Sequence, residues 1–108
     1  MGLHMYRGKM SQEAIKGLMA KPEDREPVLK ALYEAAGVKL LHTWVLPDWE
    51  VITIVDADQM SGAVLGAVIM ASGAVTETSG VEIQTYAQLA EAMKRAGAIA
   101  AKYRPPGK

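Results

Sequence analysis

His42 and Trp44 form the pair of side chains in this sequence best suited to proton transfer. They stand two residues apart in an apolar stretch, so in a β-strand they share one face. The imidazole of His42 can change its charge near neutral pH, which makes it a candidate acid or base if that face lines a cavity. The structural alternative is a histidine that is hydrogen-bonded within the core.

Trp49 and Glu50 follow a turn signal, Pro47-Asp48, and offer a carboxylate beside an aromatic ring. At the mouth of a barrel, such a pair could hold a polar group of a ligand, or Glu50 could act as a base. In the structural alternative, Glu50 satisfies backbone donors at a strand start while Trp49 packs against a neighbouring subunit.

Tyr6 shares one face of the first candidate strand with Gly8, and Arg7 points to the other face. An arginine on a central strand needs an acidic partner or an anionic ligand, because an unpaired buried charge is costly. We expect a salt bridge to Asp56 or Glu82. Tyr6 joins the candidate ligand-binding residues.

The composition excludes several kinds of site. Among 108 residues, 12 basic side chains balance 12 acidic ones, which argues against a nucleic-acid partner. The absence of cysteine removes disulfides, thiolate metal sites and thiol nucleophiles. Seven methionines without ligand spacing and two histidines make a copper or zinc site unfavourable. We expect no metal and no cofactor.

The distribution of apolar residues points to a cytoplasmic protein without a membrane partner. No secretory apolar region is visible before Met10, and the longest apolar stretch, from Ala63 to Ala71, is too short to span a bilayer. The glycines at 62, 66 and 73 suit close helix packing and form no phosphate loop.

Hydrophobic spacing and cap signals predict seven consecutive elements, with the first helix in two pieces. Ser11 is a helix N-cap candidate, Asp56 or Asp58 another, and Gly73 a helix stop. We place a bulge at Ser79-Gly80. The predicted elements are strand 3–8, helix 11–37 with a break at 21–24, strands 38–46 and 49–55, helix 59–72, strand 75–86 and helix 87–101.

This order predicts an α+β, ferredoxin-like split βαβ domain over residues 1–102 with one extra C-terminal helix, and a flexible tail at 103–108. Both faces of the strand from Val51 to Val55 are apolar, as in strands that are buried on both sides. A symmetry mate would cover the second face. We therefore expect a homodimer or a higher even-numbered oligomer.

Several segments carry a resemblance to a known family: Gly8, Ser11 to Ala14, Lys16 to Leu18, Lys39-Leu40, Val51 to Val55 and Ala71 to Val75. In these segments the chain resembles the GYD-domain family of small bacterial and archaeal proteins, over roughly Leu3 to Met93. That resemblance implies a ferredoxin-like fold paired into a dimeric α/β barrel, and no particular activity. The family's Gly-Tyr-Asp signature at the hairpin turn is here Pro47-Asp48-Trp49-Glu50.

Three functions remain open on the sequence. The first is a homo-oligomer that binds a small apolar or aromatic molecule between sheet and helices, in the barrel interior. The second is a cofactor-independent oxygenase or isomerase that uses His42 or Glu50 as base. The third is a purely structural assembly protein. The ligand-binding candidates are Tyr6, His42, Trp44, Trp49 and Glu50.

Overall fold

The computed structural model describes residues 2–108, which form four β-strands, four α-helices and a short 3-10 helix. Met1, the first residue of the expected domain, lies outside the described residues. In chain order the elements are β1 (Gly2–Met10), α1 (Gln12–Ala20), α2 (Glu26–Ala35), β2 (Lys39–Val45), β3 (Glu50–Ala57), α3 (Gln59–Ser72), β4 (Val75–Glu82), α4 (Tyr86–Ile99) and the 3-10 helix (Ala100–Lys102).

Side-chain caps define where the helices begin. The hydroxyl of Ser11 accepts a hydrogen bond from the Ala14 amide at 3.1 Å. Asp58 caps α3 by accepting a hydrogen bond from the Ser61 amide at 2.8 Å. Of the two predicted candidates, Asp56 and Asp58, the cap is therefore Asp58. Each cap satisfies an amide that the first helical turn leaves without a partner. At the other end of α3, Gly73 takes the left-handed conformation, with φ of 75°.

The four strands of residues 2–108 make one antiparallel sheet in the order β2-β3-β1-β4. The two central strands are therefore β1 and β3. The predicted α+β class is confirmed, and the arrangement is compatible with a ferredoxin-like fold.

The irregularity in β4 lies earlier than the sequence predicted. Arg7 pairs with Ser79, but Lys9 pairs with Thr76, so the register shifts across residues 77–78. Glu77 adopts a positive φ of 52° at this point. The predicted position of the bulge, Ser79-Gly80, was therefore wrong by two residues. Gly8, which lies opposite the shift, has no room for a β-carbon because Val75 packs against it.

The core lies between one face of the sheet and the helices α2 and α3. Five buried apolar side chains form it: Tyr33, Val38, Val55, Ala57 and Leu65. On the opposite face of the sheet, Trp44 and Val81 remain 56% and 50% exposed. The sheet thus has one packed face and one open face.

The molecule is elongated, measuring 62 × 30 × 22 Å. Its radius of gyration is 18.4 Å, whereas a compact domain of about 100 residues has roughly 13 Å. The helix α4 buries no residue. Among residues 2–108, no helix combines the length and the apolar character needed to cross a membrane.

Candidate functional site

A cavity of about 290 Å³ lies between the packed face of the sheet and α3. Tyr6 on β1, Thr53 on β3 and Tyr33 on α2 line it. Leu65 and Ile69 line it from α3. The lining is mainly apolar, with a few hydroxyl groups among the apolar walls.

Three glycines, which lack a side chain, leave room for the Tyr6 ring and for part of the cavity. A β-carbon on Gly62 would stand 2.6 Å from the Tyr6 hydroxyl oxygen, and one on Gly80 would stand 3.0 Å from the Tyr6 ring. A β-carbon at either position would crowd the Tyr6 side chain, which would have to shift. A β-carbon on Gly66 would meet no atom within 4 Å. Gly66 lies one turn of α3 after Gly62 and lines the cavity, so the space beside it is unfilled.

Five hydroxyl-bearing residues line the cavity: Tyr6, Tyr33, Thr53, Thr78 and Ser79. Burial raises the pKa of Tyr33 above its ordinary value of 10.0, an effect that the nearby Thr53 hydroxyl partly offsets. Burial, and then the charge of Asp58, also raises the pKa of Tyr6. Both phenols are therefore neutral at pH 7 and can donate or accept a hydrogen bond. The Thr53 hydroxyl also lies 3.2 Å from that of Thr43 on the neighbouring strand.

Arg7 is paired with Glu50, not with either of the acids that the sequence suggested. Its Nε donates to Glu50 Oε1 at 2.6 Å, and this bond is the main reason that the pKa of Arg7 is raised. The register explains the choice. Arg7 lies opposite Ile52, so Glu50 is its diagonal neighbour on the open face, whereas Asp56 and Glu82 lie opposite residues 3 and 4. The prediction of a salt bridge to Asp56 or Glu82 was wrong because the sequence did not specify the register in which β1 pairs with its neighbours.

His42 and Trp44 lie on the open face, with their rings stacked at 5.2 Å and inclined by 7°. Trp49 occupies the β2–β3 turn with φ of 68°, and its amide donates to the Leu46 carbonyl at 2.9 Å. Of the five sequence-predicted residues, Tyr6 alone lines the cavity between sheet and α3. The structure does not bring His42, Trp44, Trp49 or Glu50 to that cavity.

Sequence reasoning missed Tyr33, Thr53 and Gly66 as residues of the cavity. Tyr33 belongs to an amphipathic stripe that predicts core packing, and Thr53 stands in a β-branched strand. The signal that could have found Gly66 is its spacing of four from Gly62, which puts two small residues on one face of α3.

Comparison with family models, with curated proteins and with solved structures finds no match for this chain. Function is therefore argued from the geometry. Within residues 2–108, no group of three or more His, Asp or Glu side chains is placed to hold a metal ion.

Proposed function

We propose that the protein is a homo-oligomeric binding protein whose cavity takes a small, neutral, mainly apolar or aromatic molecule. The observation that carries the proposal is the cavity itself, about 290 Å³ bounded by the packed sheet face and α3. Ligand sites typically combine apolar walls with a few polar groups and start at about 300 Å³. An apolar cavity of about 150 Å³ can hold benzene, so one or two aromatic rings suit this volume.

The hydroxyl groups of Tyr6, Tyr33 and Thr53 favour a neutral ligand with one polar substituent. They can hydrogen-bond a hydroxyl or carbonyl group without supplying charge. Among the described residues that line the cavity, the charged one is Arg7, and its side chain bonds Glu50 on the other face. A charged ligand would therefore be left unpaired in apolar surroundings, which is costly. A phenol or small aromatic ketone fits these requirements.

The oligomer is the second part of the proposal. We infer that the open face packs on the same face of a second copy, as the GYD-domain resemblance and the dimeric α/β barrel imply. Trp44 and Val81, both at least half exposed, support this pairing because large exposed apolar side chains gathered on one face mark interaction surfaces. His42 would then be an interface residue. The cysteine-free sequence supports a cytoplasmic location.

The enzymatic alternative draws little support from this geometry. Glu50 is engaged by Arg7, and His42 stacks on Trp44. Both candidate bases lie on the face of the sheet away from the cavity, so neither can reach a molecule bound between sheet and α3. In the proposed barrel they would instead face the space between the paired sheets.

Native mass spectrometry tests the binding proposal. We expect the purified protein, or the protein mixed with a panel of one- and two-ring phenols, to carry one small molecule per chain. The variant Gly66→Leu fills the empty space beside α3 and should lose the adduct. Gly17→Leu is the matched control, because a β-carbon on that α1 glycine also meets no atom within 4 Å and lies outside the cavity. Equal adducts in both variants would contradict the proposal.

A further inference from the structure

The helix α4 carries an apolar surface that the rest of the described chain leaves largely uncovered. Its residues Met93 and Ile99 are 59% and 61% exposed. Apart from the 3-10 helix that follows it, α4 makes few contacts with other elements. Apolar residues recur along it every three or four positions, which places them on one side of the helix. This α4 arc consists of Tyr86, Leu89, Met93, Ala96 and Ile99.

The opposite side of α4 is polar and solvated. Gln88, Glu91 and Arg95 share it, and Arg95 Nε donates to Glu91 Oε1 at 3.1 Å, an i,i+4 pair. A helix that is polar on one side and apolar on the other gains most of its stability from packing its apolar side. The α4 arc therefore requires a covering surface.

Charge divides the chain into a basic C-terminal segment and an acidic remainder. Residues 86–108 contain five basic side chains and one acidic one, for a net charge of +4. Residues 2–85 contain seven basic and eleven acidic side chains, for a net charge of −4. Three of the five basic residues, Lys102, Arg104 and Lys108, follow α4 directly. The body of a second copy thus has a net charge opposite to that of α4 and its tail together. Such complementarity favours association and sets its orientation.

The exposed area also fits a second copy. The accessible surface is 8110 Å², whereas a compact monomer of this mass has about 5,800 Å². The excess is about 2,300 Å² per chain, and obligate homodimers bury roughly 1,000–2,500 Å² from each chain. Excess surface of this size is what a tightly packed dimer would remove.

We propose that the α4 arc docks on the body of a second copy of this chain, so that each protomer covers the other's C-terminal helix. The proposal rests on the self-association proposed above, and it is independent of the ligand. It adds a contact that face-to-face sheet packing does not require. Because opposite charges contribute, salt should weaken the dimer.

Single cysteines placed in this cysteine-free chain test the proposal. Met93→Cys reports on the α4 arc, and Ala98→Cys, on the exposed polar side of the same helix, is its matched control. Maleimide labelling is followed in the full-length variants, with the mass of each variant measured by sedimentation. In the dimer we expect Met93→Cys to react about tenfold or more slowly, because labelling requires the docked helix to open. The two rates should converge on dilution to monomer.

Every other outcome overturns the docking. If Met93→Cys and Ala98→Cys react at equal rates in a dimer, the interface is the paired sheets, and the α4 docking is wrong while the proposed oligomer stands. A monomer at all accessible concentrations would end both the α4 docking and the proposed oligomer, with ligand binding untouched. If Met93→Cys stays slow to react after dilution to monomer, the α4 arc packs against its own chain. Protection that appears only with phosphatidylserine vesicles would assign the arc to a lipid surface.

Discussion

Tyr6 lies so close to Gly62 that a β-carbon at position 62 would stand 2.6 Å from the tyrosine hydroxyl oxygen. This contact joins the central strand β1 to α3 beside the cavity. It also sets the position of the Tyr6 hydroxyl, one of the hydroxyl groups that we expect to meet the ligand. Its effect on stability can be measured directly.

Gly62→Ala should destabilise the protein although alanine is the better helix former. Overpacking of this kind costs about 1–3 kcal/mol, whereas replacing a helical glycine by alanine contributes about 1 kcal/mol. Urea unfolding at one fixed protein concentration measures the difference. Tyr6→Phe removes the hydroxyl, so Gly62→Ala should cost less in that background.

Gly66→Ala is the control for that substitution. A β-carbon there meets no atom within 4 Å, so we expect unchanged or higher stability. If Gly62→Ala proves as well tolerated as Gly66→Ala, the close approach of Tyr6 to α3 is not a constraint on the fold.

Tyr33 and Tyr6 should lose protons only above the ordinary tyrosine pKa of 10.0, because burial raises the pKa of both. A phenol whose pKa is raised on folding stabilises the protein fully below the unfolded pKa, and this contribution is lost as pH rises through the folded pKa. Stability should therefore fall as pH rises above about 10.

Phenolate absorbance during an alkaline titration checks this prediction. Tyr33→Phe should remove part of the absorbance that develops last, with the early part unchanged. A wild-type titration complete by the ordinary tyrosine pKa would contradict the burial of the two phenols.

Glu50→Gln and His42→Ala should leave ligand affinity unchanged within about twofold, because both side chains lie on the face away from the cavity and the coupling of distant sites is small. Glu50→Gln should lower stability because it removes the carboxylate that pairs with Arg7 at 2.6 Å. Titration calorimetry with the bound phenol and urea unfolding measure the two effects. A large loss of affinity in either variant would place the ligand on the open face instead.

Asp58 makes α3 sensitive to acid. Its hydrogen bonds from the Ser61 amide and hydroxyl lower the pKa of the Asp58 carboxyl. A carboxyl whose pKa is lowered on folding stabilises the protein above the unfolded pKa, and this contribution is lost as pH falls through the folded pKa. Asp58→Asn keeps a good N-cap without the charge.

The stability of Asp58→Asn should therefore fall less steeply than that of the wild type as pH drops below about 4. Circular dichroism during acid titration follows the difference. Identical acid profiles would show that the Asp58 carboxylate does not contribute in this way.

Local features of the fold were predictable from the sequence, whereas features set by strand pairing were not. Ser11, Asp58 and Gly73 act through neighbours a few residues away, so local pattern predicts caps and stops there, although it left Asp56 as an alternative to Asp58. The partner of Arg7 depends on the register of β1 against β3, which a pattern of residue types does not specify.

The cavity was beyond prediction for a similar reason. His42 and Trp44 have the residue types of a site, and their alternation correctly puts them on one strand face. Which face α2 and α3 would cover depends on packing over the whole chain. Gly66 has no side chain, so it leaves space unfilled beside α3. Whether that space forms part of a cavity depends on how α3 packs on the sheet, which the sequence pattern does not specify.

The central claim is that the space beside Gly66 holds a neutral aromatic molecule. Titration calorimetry with 2-naphthol on the wild type, Gly66→Leu and Gly17→Leu tests it most directly. We predict binding to the wild type and to Gly17→Leu, with affinity lowered about tenfold or more in Gly66→Leu, because the leucine side chain occupies the ligand's volume. Equal affinity in all three proteins, or no affinity in any, would contradict the claim.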